Sequence, residues 1–206
     1  MQCILLSPSN YFGSNCFIIK DGDEYAVIDP SVSFQDATRE IGDVSDKVRY
    51  ILLTHAHFDH VWALDSWVKA TGVTPTISEH DAGALSDPYA NCSKTFLGLD
   101  FIYSAPYNTV IGGDRLPFGS TEIEVISTPG HTPGSVSYLY QSSVFVGDTV
   151  FSDGGYGRCD LPGGNSSLIK ASINYLLTLP KDTVIYSGHG SKTTVYEASL
   201  YNYFIY

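Results

Sequence analysis

Thr54-His55-Ala56-His57-Phe58-Asp59-His60 places four potential metal ligands, His55, His57, Asp59 and His60, within six residues. Neither a helix nor a strand points positions i, i+2, i+4 and i+5 at one spot, so these side chains need a turn. The flanks supply its frame: residues 48–53 (Val-Arg-Tyr-Ile-Leu-Leu) read as a buried strand and residues 61–70 as a helix. The cluster therefore falls in a strand-to-helix loop, the kind of segment in which catalytic groups concentrate.

The same device recurs downstream. His131 lies in Thr128-Pro129-Gly130-His131-Thr132-Pro133-Gly134-Ser135, directly after an alternating strand at 122–127. Asp148 follows the apolar run Val144-Phe145-Val146 with Gly147 between, and His189 follows Thr183-Val184-Ile185-Tyr186 within Ser187-Gly188-His189-Gly190. Each time a strand ends in a Gly- or Pro-bearing turn carrying an imidazole or a carboxylate, so the turns can converge on one rim. Loop histidines at this density would repel one another when protonated unless a metal held them. Five of the six histidines, with two aspartates, read as a two-metal site built for hydrolysis.

In this order, His-x-His-x-Asp-His, Thr-Pro-Gly-His, Gly-Asp-Thr and Ser-Gly-His-Gly resemble the metallo-β-lactamase superfamily, specifically its glyoxalase II-like (hydroxyacylglutathione hydrolase-like) single-domain branch. The resemblance runs from Asn15-Cys16-Phe17-Ile18-Ile19 and Val27-Ile28-Asp29-Pro30 through Gly157-Arg158-Cys159-Asp160-Leu161-Pro162-Gly163-Gly164 to Gly188-His189-Gly190-Ser191-Lys192-Thr193-Thr194. It implies an α+β fold, an αββα sandwich of two mixed β-sheets flanked by helices, with the site at one edge of the sheets. It also implies that His55, His57 and His131 hold one metal, that Asp59, His60 and His189 hold the other, and that Asp148 bridges them. The bridging carboxylate sets the chain apart from the family's β-lactamases, and β-lactam hydrolysis is not expected. Asp29 is implied as an acceptor behind a ligand imidazole, although an Asp before Pro30 also forms plain turns.

The ligand types do not fix the metal: two divalent ions are expected, zinc first, with iron or manganese also suited. Two such ions roughly 3.5–4 Å apart share a water and lower its pKa towards neutrality, and one of them polarises a substrate carbonyl. Asp59, besides ligating, is the candidate catalytic residue that accepts a hydrogen bond from the hydroxide and aims it. A thiolate leaves with little protonation, and no dedicated acid is evident near the motifs. The leading expectation is therefore a thioesterase acting on an S-acylglutathione-type substrate, then a lactone or ester hydrolase. Two readings of other classes stand beside it: a persulfide dioxygenase-like oxidoreductase using one iron on the same scaffold, and a non-catalytic metal-binding protein. Arg158 and Lys192 are the candidates for gripping a substrate carboxylate, and Cys159, where related chains usually carry Thr, for touching substrate. The helical domain with which true glyoxalase II enzymes contact glutathione is not expected after His189, so glutathione does not follow.

At 206 residues the chain is expected to form one domain, residues 1–206, with a full core. Its 43% hydrophobic and 16% charged residues are those of a globular protein. A net charge of −11 with 11 Lys and Arg argues against nucleic acid. The first seven residues show neither a basic n-region nor a long apolar stretch, so no signal peptide or membrane association is expected. Cys3, Cys16, Cys92 and Cys159 form no Cys-x-x-Cys, which favours a reduced, cytoplasmic setting. The partner is then a small acyl (thio)ester.

Residues 15–20 and 24–29 read as a hairpin, 34–41 as a helix, 74–77 as a strand and 79–85 as a helix with Ser78 as N-cap. Residues 87–108 are the least regular and either line a substrate groove or cover the core. The second half is strand-rich over 107–146, followed by a helix at 166–177, a strand at 183–186 and a helix at 195–203. His80 reads as a solvated residue, and Tyr196, Tyr201, Tyr203 and Tyr206 as packing.

Overall fold

In the computed structural model, which describes residues 2–7 and 13–201, two six-stranded sheets face each other. The first runs in the order β1 (Gln2–Leu6), β2 (Cys16–Asp21), β3 (Glu24–Ile28), β4 (Val48–Leu52), β5 (Thr76–Ser78), β6 (Asn108–Val110). The second, from its other side, contains β7 (Arg115–Phe118), β8 (Thr121–Ser127), β9 (Val136–Tyr140), β10 (Ser143–Gly147), β11 (Val184–Ser187) and β12 (Thr193–Thr194). Both sheets are mixed: β1 to β3 pair antiparallel and β3 to β6 parallel, while the second is antiparallel except for the β10/β11 pair.

Parallel neighbours need crossovers. They are supplied by α1 (Phe34–Ile41), by α2 (Phe58–Val61) with α3 (Leu64–Thr71), by a 3-10 turn (Ala82–Ser86) with α4 (Ser93–Leu97), and by α5 (Ser166–Leu176). α6 (Val195–Ala198) follows β12. Local chemistry sets their ends. Ser33 Oγ accepts from Asp36 N at the start of α1 and Gly42, at φ 75°, closes it. Asn165 Oδ1 accepts from Ser167 N and Leu168 N at the start of α5, and Thr194 and Glu197 form a capping box on α6.

Period-two alternation in the strands divides the buried residues among three layers. Phe17, Ile19, Ala26, Ile28 and Leu52 face Phe118, Ile123, Val125, Tyr138 and Phe145 between the sheets. Their neighbours Ile18, Val27 and Ile51 turn outward to Leu64 and Trp67 of α3, and Val144, Val146 and Ile185 turn outward to Ile169, Ile173 and Leu176 of α5. The result is the expected α/β/β/α order. β3, β4 and β5 in one sheet, and β8, β10 and β11 in the other, run so that their C-terminal ends reach a common edge, where Val136 N donates to Thr54 O at 2.9 Å across the sheets.

Several element boundaries differ from the sequence reading. The helix expected at 61–70 is two helices, broken at Ala63, whose N–H donates to Pro30 O at 2.9 Å instead of to its own turn. Instead of a helix at 79–85 with Ser78 as N-cap there is the 3-10 turn Ala82–Ser86, because the Asp81 carboxylate is drawn into the protein. β1 was not anticipated; it is an edge strand with little burial and no clean alternation. The final helix ends at Ala198, and residues 202–206, including Tyr203 and Tyr206, lie outside the described residues. No described helix is long and apolar enough to cross a membrane.

Candidate metal centre

Four turns leaving that edge bring together all seven residues singled out as ligands. Three imidazoles form one corner: His55 Nε2 lies 3.2 Å and His131 Nε2 2.9 Å from His57 Nδ1. The outer nitrogens fix which face carries a proton. His131 Nδ1 contacts the Arg158 carbonyl at 2.9 Å, and a carbonyl only accepts, so Nδ1 holds the hydrogen and Nε2 turns a lone pair inward. The Thr54 hydroxyl donates to Asp29 Oδ2 (2.7 Å) and so accepts from His55 Nδ1 (3.1 Å), which leaves His55 Nε2 in the same state. Three nitrogens thus converge with at most one hydrogen among them. Donors around a tetrahedral ion with bonds of about 2.0–2.1 Å are about 3.3 Å apart, close to the spacing seen.

The second corner is mixed. Asp59 Oδ2 is 3.3 Å from His189 Nε2 and 3.7 Å from His60 Nε2. Asp148 stands between the corners: Oδ1 is 3.3 Å from His60 Nε2, while Oδ2 is 3.5 Å from His189 Nε2 and 3.6 Å from His131 Nε2. His60 Nε2 and Asp148 Oδ1 are buried without a hydrogen-bond partner. Buried polar atoms left so are costly, and a cation between them would satisfy both. The donor set thus fits metal ions on three groupings: His55/His57/His131, His55/His60/Asp148 and Asp59/His60/His189.

The corners differ electrically. Burial, and then its imidazole neighbours His60, His57 and His131, holds His55 well below the usual histidine range. Burial and the adjacent His131 push His57 down to about 3. In the second corner burial opposes charge, yet the carboxylates win: Asp59, Asp148 and Asp29 raise His60 well above its usual range, and Asp148 and Asp59 lift His189 to about 9. Reciprocally, burial is outweighed by His60 and His189 at Asp59, which is lowered, and at Asp148, which is lowered well below the carboxylate range.

Three polar side chains hold these turns. Asp29 accepts from Thr54 N (2.8 Å), Thr54 Oγ1 and His60 Nδ1 (2.8 Å), so it stands behind a cluster imidazole, with its own backbone at φ 52°, a left-handed conformation that Asp tolerates. Sequence reading missed the other two. Asp81, 2% exposed, accepts from Ala56 N (3.1 Å), Thr132 Oγ1 (2.8 Å) and Gly134 N (2.7 Å), tying the His55–His57 loop to the His131 turn. The one available signal was its place just past a strand, where the other acidic groups of the cluster also sit. Asn15 Nδ2 donates to Ser187 O and Gly190 O, both 2.9 Å, and Asn15 N to Gly188 O, gripping the loop that presents His189. Gly188 itself admits no side chain, since a Cβ there would lie on Asp148 Oδ1 and His60 Cε1.

A cavity of about 480 Å³ opens over His57, Asp59, His131, Asp148 and His189. Its wall includes Phe58, Cys92, Phe96, Phe151, Tyr156, Arg158 and Leu161. Cys92 and Phe96 come from the irregular 87–108 stretch, which also buries Tyr103 in the core, so that stretch both lines the cavity and covers the protein. Of the three suggested substrate contacts, Arg158 borders the cavity; Cys159 and Lys192 are not among its described lining residues, and Lys192 Nζ lies 6.0 Å from the Tyr186 ring centre. His80 stands apart, 68% exposed beside Glu79.

Sequence and fold comparisons agree with this architecture. The chain is 35% identical over 192 residues to the probable metallo-hydrolase YqgX of Bacillus subtilis, covering 91% of this chain and 90% of that one. It is 31% identical over 210 residues to the hydroxyacylglutathione hydrolase GloC of Haemophilus influenzae, covering 98% and 97%. Among solved structures it superposes on BLEG-1 B3 metallo-beta-lactamase with a TM-score of 0.89 (32% identity, 98% of each chain). The di-iron-bound form of TTHA1623 gives 0.83 (29%; 97% and 98%), and ETHE1 from Myxococcus xanthus 0.74 (26%; 96% and 81%). With residues 10–189 matching the family model as well, the chain belongs to the metallo-beta-lactamase superfamily.

Proposed function

We propose that the protein is a binuclear metal-dependent hydrolase that cleaves a thioester, water and the acyl–sulfur bond giving a carboxylic acid and a thiol. The observation that carries this reading is Asp148, whose carboxylate stands between an all-imidazole corner and a mixed one. Two divalent ions bound by His55, His57, His131 and by Asp59, His60, His189, with Asp148 shared, would supply a hydroxide nucleophile at neutral pH and polarise the substrate carbonyl. Zinc is the leading identity on donor type; the di-iron neighbour keeps iron beside it.

The residues around this centre have definable tasks. Asp59, 15% exposed at the cavity floor, accepts the O–H of the attacking water at its carboxylate and orients it. The Arg158 carbonyl and Asp29 keep His131 and His60 in the tautomers that face the centre. Phe58 and Phe151 line the cavity with apolar surface beside the centre, and apolar surroundings strengthen charge interactions within. A thiolate leaving group needs little proton donation, which supports thioester over amide; an ester or lactone is the next substrate class. The GloC relative, named for hydrolysis of a hydroxyacyl thioester, supports the same reading.

The deciding assay is hydrolysis of S-lactoylglutathione and of a simple acyl thioester by metal-replete protein, with a chelator-stripped control and a β-lactam arm prompted by the BLEG-1 likeness. Chelator-sensitive thioester turnover is expected, and its absence with both substrates would refute the proposal. A second reading, a one-iron persulfide dioxygenase, draws on the ETHE1 likeness and on the completeness of the three-histidine corner by itself. Oxygen uptake with glutathione persulfide and one iron per chain would favour it.

A further inference from the structure

Above its polar floor the cavity is walled by Phe58, Phe96, Phe151, Tyr156 and Leu161. Phe58 is buried and packs obliquely on Phe96, ring centres 6.3 Å apart, while Phe96 stays 41% exposed. Phe151 places its ring edge-on to His189, 6.1 Å away, so the apolar wall comes down to the centre itself. Of the eleven Lys and Arg in the chain, all of them described, Arg158 alone lines this cavity. Its guanidinium is already engaged: Nε and Nη2 each donate to the Asp160 carboxylate at 2.7 Å, and Cζ lies 5.7 Å from the Phe96 ring centre. This bidentate fork occupies the Nε/Nη2 edge, one of the edges with which arginine recognises carboxylates. Beyond the metal ions themselves, which would be engaged with the nucleophile and the thioester carbonyl, the lining offers no further cation to hold a remote carboxylate, and a net charge of −11 disfavours anions at long range.

Resting on the hydrolase reading above, we infer that the cavity selects a thioester that is uncharged in both halves and carries an apolar acyl group, over the thioester of an anionic peptide thiol. Buried apolar surface decides the preference, because an exposed ion pair such as Arg158–Asp160 is a weak barrier on its own. Each methylene added to the acyl group and enclosed by the aromatic wall then raises kcat/KM by about fourfold until the cavity is filled.

The test is a series of N-acetylcysteamine thioesters from acetyl to hexanoyl, set against S-lactoylglutathione and S-hexanoylglutathione, all with metal-replete protein. A rising acyl series, with the neutral hexanoyl ester ahead of both glutathione esters, is expected. Phe96→Ala should flatten the slope, and Asp160→Asn should raise the glutathione esters relative to the neutral ones by no more than about fivefold, the scale of an exposed ion pair. A flat series, or faster turnover of S-lactoylglutathione, overturns the inference while leaving the hydrolase reading intact. If neither class is hydrolysed, that reading falls. Calorimetric binding of the matching non-hydrolysable thioethers then decides the selectivity, equal or tighter binding of the glutathione thioether counting against it.

Discussion

His57 and His189 look into the same cavity, yet one is 4% exposed among other imidazoles while the other is 40% exposed between two carboxylates. In the first corner burial drives His55 and His57 towards the unprotonated form, so their lone pairs are available at any ordinary pH. In the second corner the carboxylates hold His60 and His189 in the charged form, so a metal ion there must displace protons. Each corner also has its own anchor, Asp81 for the three-histidine turns and Asn15 for the His189 loop, while Asp29, through Thr54 and His60, touches both. The contrast teaches that the two corners would not take up metal alike: the buried one offers His55 and His57 unprotonated, whereas the open one must give up protons to bind an ion.

The largest effect should come from removing the group the corners share. Asp148→Ala is expected to lower hydrolytic turnover by about three orders of magnitude, as loss of a major electrostatic group does, with an unchanged far-ultraviolet circular dichroism spectrum showing that the fold survives; retained turnover would dissolve the contrast altogether. Next, single-corner variants should separate metal occupancy. His189→Ala is expected to retain one tightly held ion per chain, in the three-histidine corner, and His57→Ala to weaken that same ion, which mass-spectrometric metal counts after dialysis would read; equal loss in both would mean that the corners are one unit.

Anchors should act more gently and locally. Asp81→Asn and Asn15→Asp keep shape but alter hydrogen bonding, and each should weaken metal affinity about 10–100-fold at its own corner, measured by competition with a chromophoric chelator. Smallest is the pH response of chelator-stripped protein. His189, raised from 6.5 to about 9, contributes stability that is full below pH 6.5 and lost as pH rises through about 9. His57, lowered to about 3, acts on the other side, stability falling as pH drops below 6.5 towards that value. Melting curves should therefore slope down on both flanks, by about a few degrees on the alkaline one, and His189→Ala should flatten that alkaline slope alone.

Much of this was legible in the chain. The hairpin at β2 and β3, α1, β4, β8, β10 and β11 follow from alternation, caps and turn residues, and the seven clustered side chains announce themselves by their spacing. Asp81 and Asn15 were not legible, because nothing local distinguishes an aspartate or asparagine that bonds to backbone groups more than fifty or 170 residues away. Arg158 reads from the sequence as a candidate for gripping a substrate carboxylate, and its pairing with Asp160 depends on a loop conformation that composition does not encode. The break at Ala63 belongs to the same class, set by the Pro30 carbonyl on another loop.

The sequence by itself determined the strand and turn pattern, the kind of atoms that ligate and the superfamily, since hydrophobic period and donor chemistry are properties of neighbouring residues. Only the tertiary structure decided which imidazole is neutral, which is charged, and which walls face the reacting atoms. Those depend on burial and on through-space distances of about 3 Å between groups far apart in the chain.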